Sequence, residues 1–398
     1  MKRGRLGLIG SLVWVLVMSG CALRLTPIGV GAGPFTPDSD EVVLWREAER
    51  EAAELLRRVR VYDDADLVKY LNGLLERLTP DRVREAGGLL IRVEVLRDPA
   101  LNAFALPDAR VFVHSGLLAA LESEAQLALV LAREVAHVVH RHTLSVARAE
   151  RLPPPAYEGV GRLSPAATAI HGRRLRLSAA AAVTGYGTRL ERDADDAGSA
   201  MLARAGWNLE EAATVWPLLS GRAAGSLETF LLGRPAWLRE RSEFTRRLLA
   251  TETRPAAVAA RSAAEFELRM RPVVRDNAAE DIRHGRFALA ARALDRVVAA
   301  TPADPLAHLH YGDLHRLQAQ RAGSAEARGR GAERARACYE RAIELEPWLA
   351  QAYRQLGLLH YEQQDLAQAR TALQSYLTLA PGAPDAARIA EYVQELAR

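Results

Sequence analysis

Two residue types are nearly missing from this chain of 398. Lysine occurs only at Lys2 and Lys69, and cysteine only at Cys21 and Cys338. Two cysteines cannot build a disulfide framework, so stability has to come from buried cores, for which the length allows two or three domains. Cys338, on a helical pattern, reads as a small buried apolar residue. The 53 basic residues are almost all arginine, and 49 acidic residues are interspersed with them, leaving a net charge of +4. No basic stripe of the kind that grips nucleic acid stands out, so nucleic acid is not an expected partner. Aromatics make up only 6%, while alanine and leucine abound, which favours helices packed on helices.

What is present begins with an address. "MKRGRLGLIGSLVWVLVMSGC" has basic residues at Lys2, Arg3 and Arg5, then an apolar run from Leu6 to Met18. The run is short for a spanning helix and ends in small residues, as secretory signals do. Its ending, "VMSGC", resembles a bacterial lipobox, which implies lipidation at Cys21 and an acyl anchor instead of a helix. The alternative is a plain secreted protein whose signal happens to end near a cysteine. Ala22, where lipoprotein sorting would otherwise read Asp, points by resemblance to the outer membrane. A Pro- and Gly-rich segment, "TPIGVGAGPFTPDSD", reads as a flexible tether.

Beyond it, "EVVLWREAEREAAELLRRV" and "DADLVKYLNGLLERL" carry helical periodicity, whereas "LLIRVEVLRD" and "ARVFVHSG" alternate as half-buried strands do. One long helical pattern follows, "SEAQLALVLAREVAHVVHRHTLSVA", with Ser123 as its N-cap. Inside it, "REVAH" has Glu134 and His137 in the spacing of H-E-x-x-H, with Arg133 where the first histidine would stand.

The block "LNAFALPDARVFVHSGLLAALESEAQLALVLAREVAHVVHRHT", with Asn102, Pro107 and the strand ending in "HSGLL", resembles metallopeptidase family forty-eight, that of the CAAX prenyl proteases, HtpX and BepA. "TRLERDADDAGSAMLARAGW" is similar to the family's E-x-x-A-D helix. The resemblance implies a zincin-like domain with Glu191 as third zinc ligand and Asp195 supporting it. In such a site two histidines at i and i+4 share a helix face, a glutamate completes the set, and the Glu between the histidines is the general base, here Glu134. A guanidinium has no lone pair to offer and stays protonated, so Arg133 leaves a poor zinc site. It is expected to pair with Glu191, and with Glu134, in place of the absent metal charge; the alternative is that Arg133 points to solvent. A second departure is Arg234 in "LLGRPAW", where many family members carry histidine. His140 and His142 remain candidate substitute ligands. A site on His137 and His140 would move about one helical turn, away from the reach of Glu191; the alternative is a polar helix end. The segment from Pro153 to Leu177 reads as a loop or lid, and "RVFVHSG" as an edge strand able to pair with an extended chain.

In the last third, Pro347 and Pro381 lie 34 residues apart, the period of tetratricopeptide repeats. Leu356, Gly357 and Ala369 stand where paired helices must approach closely. Two earlier units, the second with an insertion at "AGSAEARGRGAERA", and a terminal capping helix complete an array able to hold peptides or proteins.

The expected fold is thus mainly α with a small β-sheet, a zincin-like domain followed by an all-α solenoid. Its parts are a signal peptide over 1–20, a tether over 21–40, a metallopeptidase-like domain over 41–255, a helical linker over 256–275 and repeats over 276–398. Two functions compete. One is an envelope lipoprotein, impaired or inactive as a protease, that binds envelope or outer-membrane proteins through cleft and repeats, with zinc weakly bound or absent. The other is an active zinc endopeptidase with an altered metal site.

Overall fold

The computed structural model describes residues 25–31, 33–149, 176–179, 185–223, 241–243 and 263–396. Cys21 and its leader, the expected lid up to residue 175, and Arg234 lie outside them. The expected tether is seated on the domain where it is described. Ile28 is 2% exposed, and its N–H donates to the Val139 carbonyl at 2.9 Å. Gly29, at φ +79°, passes so close to Arg82 that a Cβ would lie 2.8 Å from its carbonyl oxygen. Average composition signalled flexibility and missed the one isoleucine that docks the segment.

Helix α1 (Ser39–Leu56) starts at a capping box between Asp38 and Glu41. Helix α2 (Ala65–Leu78), capped by Asp64, turns Leu67, Leu71, Leu74, Leu75 and Leu78 inward. After α3 (Asp81–Ala86) come β1 (Arg92–Leu96), β2 (Ala103–Ala105) and β3 (Arg110–His114). The sheet order is β1-β3-β2, with β1 parallel and β2 antiparallel to β3. "RVFVH" is therefore the central strand and not an edge, so no incoming chain can pair with it. All five of its residues are buried, which the alternating letters did not reveal. The antiparallel edge is the three-residue β2.

From α4 (Ser115–Ala120) the chain enters α5 (Glu124–Val139), capped by Ser123, whose hydroxyl accepts from the Gln126 N–H. Every residue of α5 is buried, so it forms the centre of the domain. The long helical pattern breaks once: Arg141 is left-handed (φ 58°, ψ 38°), and α6 (His142–Arg148) starts a new direction. Guanidinium contacts hold that turn, from Arg141 Nε to Glu41 Oε1 at 2.9 Å and from Arg141 Nη2 to Asp38 Oδ2 at 2.9 Å. A short α7 (Arg176–Ala179) donates the N–H groups of Leu177 and Ser178 to Glu51. Helix α8 (Thr188–Arg204) lies against α5 and is followed by α9 (Leu209–Ala213) and α10 (Val215–Ala223).

The repeat region is three helical hairpins and a cap: α11 (Ala263–Arg283) with α12 (Phe287–Ala300), α13 (Pro305–Gln320) with α14 (Ala325–Leu345), α15 (Ala350–Glu362) with α16 (Leu366–Leu379), then α17 (Ala386–Glu395). The Arg/Gly-rich insertion is helical and lengthens α14, on which Cys338 is half-buried rather than buried. Close approach holds where expected. A Cβ at Gly357 would lie 2.7 Å from Leu373 Cγ, and Ala369 is fully buried. Residues 263–275, expected to link, are the first half of α11, and their Phe266, Met270, Val273 and Val274 belong to the domain's own core cluster.

Candidate active site

Residues four apart on a helix share a face. That periodicity places Arg133 and His137 together on α5, with Glu134 beside them, and Glu191 and Asp195 together on α8. The two helices meet closely because Gly198 has no side chain: a Cβ there would lie 3.0 Å from Arg133 N and 3.2 Å from Ala132 C. Across this gap the Arg133 side chain is fully engaged. Its Nη2 donates to Glu191 Oε2 at 2.6 Å, its Nε to Asp195 Oδ1 at 2.6 Å, and its Nη1 reaches Glu134 Oε1 at 3.5 Å. A second guanidinium, Arg241, donates to the same Glu191 Oε2 at 2.7 Å and lies 3.5 Å from Asp195 Oδ2. Both arginines approach the Trp216 ring, at 5.8 and 5.3 Å from its centroid.

The other site positions are satisfied within the same shell. Glu191 Oε1 accepts the Tyr186 N–H at 3.0 Å. The Ala105 N–H of β2 donates to Glu134, while the Tyr186 hydroxyl lies 3.4 Å from the Ala105 carbonyl and 2.9 Å from Thr143 Oγ1. The polar groups of Ala105 on the sheet's β2 edge are thus already turned to the domain's own side chains. His137 packs its ring on Tyr186, with centroids 4.8 Å apart, and its Nδ1 lies 2.9 Å from His142 Nδ1. Pro107 lines a small pocket with His137, and the Asn102 carbonyl accepts the His114 N–H at 3.0 Å as β2 begins.

Protonation follows from burial and these charges. Burial opposes ionisation of Glu191, but His137, Arg133, Arg241 and the Tyr186 N–H override it and draw the carboxyl down to about 2. Burial also holds His137 well below the ordinary imidazole range, so the guanidiniums supply that attraction at neutral pH. Glu134 is raised by burial to about 7, against the pull of Arg133.

Zinc does not fit these residues. The Glu191 oxygen it would need is held by two guanidiniums, and the position of the first imidazole is filled by a group without a lone pair. Glu134, His137, Glu191, Asp195 and Arg133 do come together, and Arg133 makes the pairs expected of it. The sequence reading missed Arg241, Tyr186 and Trp216, because they come from segments without motif or periodicity.

A helix pair carrying Glu134, His137 and Glu191, a three-stranded sheet and a following helical-hairpin array define a zincin-like metallopeptidase domain with tetratricopeptide repeats. Residues 69–267 match Peptidase family M48 and residues 324–394 match the tetratricopeptide repeat. The chain belongs to peptidase family M48. Mitochondrial metalloendopeptidase OMA1 of Schizosaccharomyces pombe is 42% identical over 74 residues, 19% of this chain and 21% of that protein. A "Putative beta-barrel assembly-enhancing protease" of Vibrio cholerae is 31% identical over 205 residues, 47% of this chain and 39% of that protein. OMA1 of Arabidopsis thaliana is 29% identical over 149 residues, 37% and 30% of the two chains. The matches thus span well under two thirds of these relatives.

Proposed function

We propose that this chain is a non-catalytic M48 protein of the bacterial envelope, anchored through lipid on Cys21, that holds envelope proteins during assembly or quality control. The observation carrying the reading is the Arg133 guanidinium bonded at 2.6 Å to both Glu191 and Asp195. That charge replaces the cation the site was built around and leaves Glu134 with no metal-bound water beside it to act on. The repeat array supplies a binding surface without chemistry. The bacterial relative, named for beta-barrel assembly, supports the envelope setting. No helix among the described residues is long and apolar enough to cross a membrane. The outer membrane follows from Ala22 as the residue after Cys21.

The test is proteolysis of a casein-type substrate, with and without chelator, by the native chain, Arg133→His and Arg133→His/Arg241→Leu. The native chain is expected to show no chelator-sensitive cleavage. Arg133→His alone should stay poor, because Arg241 still holds Glu191, and the double variant should gain zinc-dependent cleavage. Chelator-sensitive proteolysis by the native chain overturns the reading in favour of an active zinc endopeptidase.

A further inference from the structure

The end of α5 brings together three side chains that the inherited site does not use. His140 closes the helix, Arg141 takes the left-handed conformation, and His142 opens α6. Without that reversal His140 and His142 would point to different sides of one helix. With it, His140 Nδ1 lies 2.5 Å and His142 Nε2 lies 3.0 Å from the same oxygen, Asp193 Oδ2. One ligand atom from each residue falls within 4.8 Å of the others, and among the described residues this is the one such group of three.

The geometry points to a divalent metal site on His140, His142 and Asp193, displaced from the inherited one. Two imidazole nitrogens and one carboxylate oxygen suit zinc or a neighbouring late first-row ion, and not magnesium or calcium, which take all-oxygen sets. Ligand bonds of ~2.0–2.2 Å in a tetrahedron place ligand atoms about 3.3 Å apart. The separations of Asp193 Oδ2 from His140 and His142 must therefore each open by less than an ångström. Asp193 and His140 can shift to do so, since their side chains are 33% and 23% exposed, while His142 is fixed at 2%.

One arrangement of the ring protons is compatible with this assignment. His142 Nδ1 and His137 Nδ1 are 2.9 Å apart, so one proton must lie between them. If His142 Nε2 offers its lone pair to a metal, the ring's proton is on Nδ1 and is donated to His137. The proton of His137 is then on Nε2, facing Glu191 Oε2 at 3.8 Å. Each ring then carries one proton, and the inherited ligand His137 becomes the group that orients the new one.

The three residues also line a cavity of ≈ 880 Å³ with Thr188, Arg192 and Asp196. It leaves room for water or an oxygen ligand in the remaining coordination position. Arg189 and Arg192 on its wall offset Asp193 and Asp196. Affinity must therefore come from ligand bonds and not from the surrounding field.

The experiment uses the untagged full-length chain, stripped of metal and titrated with Zn²⁺ by calorimetry, with bound metal counted by mass spectrometry. His140→Ala, Asp193→Asn and Glu191→Gln are compared after circular dichroism confirms folding. Cobalt loading gives a second readout in the visible spectrum. One equivalent is expected in the native chain and in Glu191→Gln, with binding weakened ~10-fold or more, and the cobalt bands lost, in His140→Ala and Asp193→Asn. Absence of stoichiometric metal, or binding indifferent to both ligand changes, overturns this site and leaves the non-catalytic reading standing. Metal lost in Glu191→Gln but kept in His140→Ala would place the ion on the inherited residues and overturn both.

Discussion

At the level of single residues, Arg133 converts a metal site into an ion-pair network. Two buried carboxylates at Glu191 and Asp195 need a cation near them, and removing one partner of a buried pair costs ~3–5 kcal/mol. Arg241 remains in Arg133→Met, so the loss at pH 7 should fall at the low end, about 3 kcal/mol by the same comparison. Its pH dependence follows from sign. The carboxyl of Glu191, held at about 2, sits below its unfolded value of ~4.3, so its stabilisation is present above ~4.3 and fades as pH falls toward 2. Glu134 acts oppositely. Raised to about 7, it keeps its proton in the folded state from ~4.3 to 7, and stability falls as pH rises through that window. Loss of Arg133 weakens the stabilisation from Glu191 and enlarges the penalty from Glu134. Both changes lower stability mainly at high pH, so Arg133→Met should cost most above pH 7 and least near pH 3. Urea unfolding at the two pH values checks this, and an equal cost at both would mean Arg133 is not what holds Glu191. Glu134→Gln should remove only the second slope, leaving stability flatter between pH 5 and 8 than in the native chain.

Among the elements, what could be read in the sequence depended on whether the cause was local. Helices α2 and α5 carry their apolar period and their caps, Asp64 and Ser123, within the segment. The facing of Glu134, His137, Glu191 and Asp195 follows from helical spacing once the family blocks are seen. The break at Arg141 has no such signal, because neither glycine nor asparagine marks it. Its left-handed turn is held by Glu41 and Asp38, about a hundred residues earlier in the chain. The central place of β3 was hidden for a similar reason: strand order is set by pairing across the sheet, and the letters of "RVFVH" do not contain it. Gly198 shows how the packing of α5 on α8 can be tested. Alanine in a helix interior gains ~1 kcal/mol over glycine, whereas overpacking costs ~1–3 kcal/mol. The atoms that a new methyl would meet are backbone atoms of Arg133 and Ala132 at 3.0 and 3.2 Å, and backbone cannot rotate aside. Overpacking should win. Gly198→Ala is expected to lower the urea midpoint with the slope unchanged, and a raised midpoint would refute the close-contact argument.

Over the whole molecule, the repeats are fastened to the domain through α11. Tyr62 donates to Asp276 at 3.0 Å, Arg60 to Glu280 at 2.9 Å, and Ser115 to Asn277 at 3.3 Å. Arg296 of α12 reaches the Ala119 carbonyl at 3.2 Å. The apolar core runs without interruption from α4 and α5 through Met270 and Val274 to Leu294 and Leu314. In a repeat array each unit contacts only its neighbours, so the far end contributes little to the near end. Glu346 ends the second hairpin. The small cluster that a cut there divides, Leu309 and Tyr339 against Ala352 and Leu359, and the one around Leu373, Tyr376 and Ile389 are both separate from the domain core. Two truncations should therefore behave differently. A chain stopped after Glu346 should stay soluble and keep the unfolding midpoint of the domain close to the native value. A chain stopped after residue 262 loses Phe266, Met270, Val273 and Val274 from a shared core and exposes α4. It should fail to give a cooperative transition. Urea unfolding followed by tryptophan fluorescence, which reports Trp207 and Trp216 inside the domain, distinguishes the cases. A soluble, cooperatively unfolding chain ending at 262 would show that the domain and the array are independent bodies, and a cleft and groove that move separately could not present one continuous surface to a client.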